Sequence, residues 1–263
     1  MTAAESATCV YAVIADRRQP RARHTPPGLP GGGRVRLLEV PPGTSRSAGS
    51  GLRRWLVVST VPLEGYSESR IRAGLGDLDW VSRAAVAHER TIEAFAGASA
   101  VLPMKLFTLF RNDERAIAFA ERDRRRLGTA LTRVRNHDEF GVRVIRQPAA
   151  KVERAPRPKS GMHYLRGKLA ARQIALDQAR SAEGVANSLY RDLSRHAKLA
   201  ERRAATERGL RNGPLLLDAV FLVPRSRAAR FSRAIRRFST ELQRTGYRVT
   251  TTGPWPPYSF VQD

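Results

Sequence analysis

The chain has a single cysteine, Cys9, which excludes an intramolecular disulfide and any cysteine-built metal cage. It has no apolar run approaching the roughly 20 residues that a membrane-crossing helix requires. The nearest candidate, "ATCVYAVIAD", is too short, follows Glu5 rather than a basic segment and lacks a convincing cleavage site, so no secretory signal is expected. These absences together predict a cytoplasmic protein. No Walker A loop, dinucleotide-binding glycine pattern, nucleophile elbow or zinc signature is present. "PGGGRV" has the glycines but not the flanking strand and helix, and reads as a loop. Acidic residues are scarce, 24 Asp and Glu against 47 Lys and Arg, which leaves a formal net charge of +23.

That charge makes nucleic acid the first partner to consider, because neutralising phosphates supplies most non-specific affinity. The basic residues are nearly all arginine and are spread along the chain, whereas a binding footprint needs a cluster. Two clusters exist, "RDRRR" (Arg122 to Arg126) and "RSRAARFSRAIRR" (Arg225 to Arg237). Neither matches a nucleic-acid-binding motif, so nucleic-acid binding stands as the second reading. The hydrophobic fraction of 41% fits a soluble globular chain with room for two domains.

Strand patterns occur at Thr8 to Ala15, at "VRLLEV" and strongly at Leu52 to Val61. Between the first two, "DRRQPRARHTPPGLPGGGR" reads as a loop without means of packing, part of a flexible Arg/Pro/Gly segment spanning 16–51. Val81, Ala85, His88, Ile92 and Phe95 recur at spacings of four and three and predict one apolar helix face. "AVLPMKLFTLF" (Ala100 to Phe110) predicts two short strands hinged around Pro103 to Lys105. Asn112 caps a helix striped by Ile117, Ala120, Leu127, Leu131 and Val134. Glu139 to Gln147 alternates as a strand. From Leu52 onward this is the element order of a ferredoxin-like sandwich.

A linker composition at Gln147 to Gly161 divides the chain into domains at 1–150 and 151–263. The second opens with a helical stretch from Met162 to about Arg203. Leu165, Leu169, Leu176 and Ala179 form one stripe; Val185, Leu189, Leu193, His196 and Leu199 form another. Strand Gly213 to Pro224, a helix with Phe231, Ile235, Phe238 and Leu242 on its buried face, and strand "YRVTTT" follow. The fold class expected is therefore α+β, with two domains built on ferredoxin-like antiparallel sheets, helices packed on one face and a long helix opening the second domain.

Few residues ask for chemistry. His88 beside Glu89 and Glu93 could do acid–base work, but the helix pattern puts His88 on the core face and the carboxylates elsewhere. No catalytic residue, metal ligand or cofactor is assigned. The C-terminal "GPWPPYSF" (Gly253 to Phe260) is costly to leave in water. Pro254, Pro256 and Pro257 lack backbone donors and are expected to end regular structure. The reading is a stiff strap anchored by Trp255, Tyr258 and Phe260, stapling the C-terminal domain.

"AHERTIEAFAGASAVLPMKLFTLF" (Ala87 to Phe110) resembles a segment of the gas vesicle accessory proteins of the F and L type, the GvpF/GvpL family. There, a His-Glu-rich helix, here His88 and Glu89, leads into a Leu-Pro-Met/Leu-basic-Phe strand, here Leu102 to Lys105 followed by Leu106 and Phe107. "GPWPPYSF", with Trp255, Pro256, Pro257, Tyr258 and Phe260, is similar to the family's C-terminal signature, and "CVYAVIA" to its opening strand. The three landmarks fall in the right order across essentially the whole chain, apart from the loop Asp16 to Gly51. One departure stands out: many members read basic-Phe-Gly-Thr where this chain has "KLFT", Lys105 to Thr108. The resemblance implies a non-enzymatic gas vesicle assembly factor that binds the hydrophobic shell protein and acts alongside other accessory proteins. It also implies two α+β domains, the second ferredoxin-like. Leu102, Pro103, Met104, Lys105 and Phe107 are the candidate partner-binding residues.

Overall fold

The computed structural model describes residues 5–42, 51–147, 161–203 and 215–261. They divide into two compact units, one of Met1–Asp138 with Trp255–Asp263, the other of Glu139–Pro254.

The first unit is organised on β1 (Ser6–Asp16), which pairs antiparallel with β3 (Arg53–Pro62) on one side and with β4 (Ala100–Pro103) and β5 (Leu109–Phe110) on the other. β2 (Arg36–Val40) extends the sheet beyond β3, giving the order β2-β3-β1-β4. α1 (Leu63–Tyr66), α2 (Glu68–Gly74) and α3 (Leu78–Glu93) follow β3; α4 (Asp113–Arg122) and α5 (Arg124–Val134) follow β5. β1 is apolar at nearly every position, so its pleat sends buried side chains to both faces. Ala84 and Ile92 of α3 pack with Cys9, Tyr11, Ile14, Val57 and Val61 on one face. Leu127, Leu131 and Val134 of α5 pack with Val10, Val13, Leu56 and Val58 on the other. One-sided helix packing therefore does not hold for this sheet.

Between Val10 and Ala12 the β1–β3 register slips: Val10 faces Val58 and Ala12 faces Val57, so Tyr11 is the extra residue of a β-bulge. The bulge puts Tyr11 and Ala12 into the same core. The buried Tyr11 hydroxyl needs partners there and has two, Ser59 Oγ at 2.7 Å and the Leu29 N–H at 2.8 Å.

This corrects the expectation that 16–51 is a flexible loop. Leu29 is buried in the core, the Gly28 N–H donates to Thr91 Oγ1, the Gly33 N–H to Thr60 O, and Tyr66 Oη donates to Pro30 O. Gly28 takes φ 66°, and a Cβ there would touch Val35 and the Tyr11 hydroxyl. Residues 43–50 lie outside the described residues. Asn112 caps α4 as expected, accepting from the Arg115 N–H, but the helix breaks at Asp123 rather than running on to Val134.

The second unit comprises β6 (His137–Arg146), α6 (Gly161–Ser194), β7 (Leu199–Arg202), β8 (Leu215–Pro224), a 3-10 turn at Arg225–Arg227, α7 (Ala228–Arg244) and β9 (Tyr247–Trp255). Its sheet order is β7-β8-β6-β9. With β6 counted first, this is the strand-helix-strand-strand-helix-strand order of a ferredoxin-like unit. The units thus differ from a division at 150: β6 does not close the first sheet but sits in the middle of the second, which without it would lack a strand between β8 and β9. The core joins Phe140, Val142 and Val144 of β6 with Leu189 and Leu193 of α6, Phe221 of β8, and Phe231 and Ile235 of α7. The helix opening this unit ends at Ser194 and not near Arg203, because Leu199–Arg202 pairs with β8. Most of the linker expected at Gln147 to Gly161 lies outside the described residues.

Tyr11→Phe should leave the buried Leu29 N–H without its acceptor and cost about 1–3 kcal/mol. We expect a lower urea midpoint together with faster proteolysis between Arg17 and Arg34. Unchanged proteolysis would show that the loop is held by its other contacts alone.

Candidate functional site

The segment from β4 through β5 is held at Met104 by both backbone groups. Its N–H donates to Tyr11 O at 2.9 Å, and its carbonyl accepts from His88 Nε2 at 3.0 Å. The acceptor is a carbonyl, so Nε2 carries the proton. His88 comes from the core face of α3, with Ala84, Thr91 and Ile92, and its ring lies 5.3 Å from that of Tyr11. Its Nδ1 is buried without a hydrogen-bond partner among the described residues. Burial holds the imidazole below its ordinary value, and the bond to Met104 O offsets only part of that. The ring is a neutral clamp. Glu89 is exposed, so the helix separates the two groups that an acid–base pair would need together. Cys9 is likewise no nucleophile, since burial pushes its thiol up to about 12.

The candidate partner-binding residues occupy unlike environments. Leu102 and Pro103 are buried, Pro103 opposite Ala12 of β1. Met104 is half-buried against the α5 side of the sheet, and Lys105 is exposed. Phe107 turns the chain with φ 62°, while the Thr108 N–H and Oγ1 both donate to Lys105 O. A left-handed backbone is unfavourable for a bulky residue, and Phe107 stands where many of the resembled sequences have glycine. Its ring stacks on Trp80 of α3, centroids 5.1 Å apart and planes 21° apart, with Tyr66 at 6.2 Å. This aromatic packing offsets the backbone cost that a glycine would avoid.

Sequence reasoning missed Tyr66 and Trp80, and with them an apolar surface at Leu75 and Leu78, which are 59% and 79% exposed. The signal was present in "GLGDLDW", where large apolar residues precede the helix's core stripe.

The C-terminal octet is split. β9 runs through Pro254 to Trp255, which corrects the expectation that the prolines exclude strand. β9 ends the sheet order, and an edge strand tolerates missing donors. Trp255 is 41% exposed. Pro256, Pro257 and Phe260 are buried, Tyr258 packs into the α3-side core, and Val261 into the α5-side core. Arg133 Nη1 donates to Phe260 O at 3.4 Å. The strap therefore fastens the first unit and not the C-terminal sheet, as the two helix-covered faces of β1 offer it apolar surface.

The first basic cluster is largely engaged, and the second has Arg237 in an ion pair. Arg122 and Arg126 pair with Asp123, Arg124 Nη2 donates to Pro41 O, and Arg237 pairs with Asp192. Among the described residues no group of three or more His, Cys, Asp or Glu is placed to hold a metal ion. No helix among them is long and apolar enough to cross a membrane.

His88 yields a pH test. The unfolded imidazole takes a proton as pH falls through 6.5, whereas the folded one stays neutral to lower pH. Its contribution is whole above pH 6.5 and is lost as pH falls toward the folded value. The stability advantage over His88→Gln should shrink between about pH 7.5 and 5; a gap independent of pH would contradict the clamp. Separately, Phe260→Ala should cost about 3 kcal/mol, read as faster amide exchange in β1 and α5. Exchange accelerated only in β8 and α7 would place the anchor on the wrong unit.

The family model for "Gas vesicle synthesis protein GvpL/GvpF" matches residues 7–262. Gas vesicle protein L of Streptomyces sp. (strain CB03234) is 33% identical over 213 residues, 78% of this chain and 79% of that protein. The crystal structure of gas vesicle protein GvpF from Anabaena sp. PCC7120 superposes with a TM-score of 0.63 at 16% identity, covering 98% of this chain and 97% of the other. That of GvpF from Microcystis aeruginosa gives 0.63 at 13% identity, with 98% and 99% covered. With the family model spanning nearly the whole sequence, the chain belongs to the GvpL/GvpF family of gas vesicle proteins.

Proposed function

We propose that this protein is a non-enzymatic, cytoplasmic gas vesicle assembly factor that binds the hydrophobic shell protein, alongside other accessory proteins, and assists its nucleation into the vesicle. Family membership carries the reading. The surface around the β4–β5 turn supports it. β4 ends the sheet order of the first unit but is itself buried, so the accessible part of the segment is the turn that follows it, from Met104 onward. In that turn lie half-buried Met104 and Phe107 with the Trp80 ring on Phe107, and Leu75 at the end of α2 and Leu78 at the start of α3 are exposed. A subunit whose apolar strands would otherwise aggregate finds apolar cover there. The buried, neutral His88 and the exposed Glu89 belong to the scaffold of this surface, and no cofactor enters the proposal.

Charge supplies steering and not most of the affinity, because dispersed exposed arginines are weakly effective and screened by salt. Raising salt from about 0.1 to 1 M shortens the screening length from ~10 to ~3 Å. A titration with the shell protein should show a complex that persists at the higher salt and weakens about tenfold or more in Met104→Asp and Leu78→Asp. Leu78 is exposed, so that variant tests the surface without touching the core. Dissociation at high salt with no effect of either substitution would point instead to a charge-driven, nucleic-acid-like mode.

A further inference from the structure

The first half of α6 is a helix without a core. Met162 and every described side chain from Leu165 to Glu183 are exposed, and only from Val185 onward does the helix enter the second unit's core. Yet Met162, Leu165, Leu169 and Leu176 recur at spacings of three, four and seven, with Leu169 66% exposed. This is the seam pattern of a coiled coil. Isolated helices are marginal in water, and most helical stability in proteins comes from a packed apolar face. Arg146 reaches Gln178 from β6. Gln178 lies nine residues beyond Leu169, two and a half turns on, so this contact holds the face opposite the seam. The apolar stripe is turned away from it.

The flanks say what covers the stripe. Arg166 and Arg180 lie on one side of it and Lys168 on the other, and Arg172 stands in the seam between Leu169 and Leu176. Asp177 is the one acidic residue between Gly161 and Ser181, and it lies away from the seam, accepting from Gln173. A second copy of this helix would set basic flank against basic flank, and would put Arg172 against its own copy in a parallel pair or against leucine in an antiparallel one. A helix with apolar seam residues and Glu or Asp beside them meets both the stripe and the charge. We infer that the exposed half of α6, Met162 to Ala179, is a docking face for an acidic amphipathic helix of a partner protein, about 18 residues and roughly 27 Å long. This does not rest on shell-protein binding at the β4–β5 turn, which uses another unit and other residues.

The test uses the full chain and two synthetic helical peptides of about three heptads, with Leu at the seam and either Glu or Lys on the flanks. Fluorescence anisotropy at about 0.1 M salt should show the Glu-flanked peptide binding at least tenfold tighter than the Lys-flanked one. Leu169→Asp should abolish that binding while circular dichroism and the melting curve stay those of the parent, as expected for an exposed position. The combined variant Arg166→Glu, Arg172→Glu, Arg180→Glu should reverse the preference between the peptides. Equal binding of both peptides, binding of neither, or binding indifferent to Leu169→Asp would overturn the inference. So would sedimentation showing self-association through this face that Leu169→Asp removes.

Discussion

Burial of β1 on both faces is the constraint from which the first unit follows. A strand apolar on both sides needs cover on both, which α3 supplies on one face and α5 on the other. The same burial forces each polar group within it to find an internal partner. Tyr11, pushed inward by the bulge, finds Ser59 and Leu29, and through Leu29 it fixes an Arg/Pro/Gly-rich segment that has little apolar content of its own. Its backbone carbonyl in turn accepts from the Met104 N–H, while His88 Nε2 donates to the Met104 carbonyl. The loop, the turn after β4 and the inner face of α3 thus share one buried locus.

Around that locus the chain accepts local cost for surface properties. Phe107 adopts a left-handed backbone, and its ring packs on Trp80 and Tyr66. Leu75 at the end of α2 and Leu78 at the start of α3 stay exposed, although burying either would stabilise the fold by on the order of 2 kcal/mol. Apolar surface retained at such a cost marks contact with a partner more readily than it marks catalysis. The second unit repeats the pattern on a longer scale, with a well-packed ferredoxin-like body and the first half of α6 left in solvent.

Much was legible in the residues alone. The 3.6-residue spacing of His88 and Ile92, the Asn112 cap, the hinge around Pro103 to Lys105, and the resemblance carried by "HERTIE", "LPMKLF" and "GPWPPYSF" all depend on nearest neighbours in sequence. So local chemistry marked the elements, the α+β class and the family. The candidate site was legible as a segment, Leu102 to Phe107, but not as a surface, since Trp80 and Tyr66 reach Phe107 only through the fold.

Tertiary structure alone decided which sheet each strand joins. β6 has the same alternating pattern whether it pairs in the first unit or between β8 and β9, because alternation records two faces and not two neighbours. It alone decided that "GPWPPYSF" fastens the first unit, since aromatic anchors specify burial but not the surface that provides it. The apolar stripe of α6 is the sharpest case. Leu165, Leu169 and Leu176 write a buried face into the sequence by their spacing, and the folded chain leaves that face in water. Periodicity states that a face is to be covered; only the arrangement of the other elements shows whether the chain covers it itself.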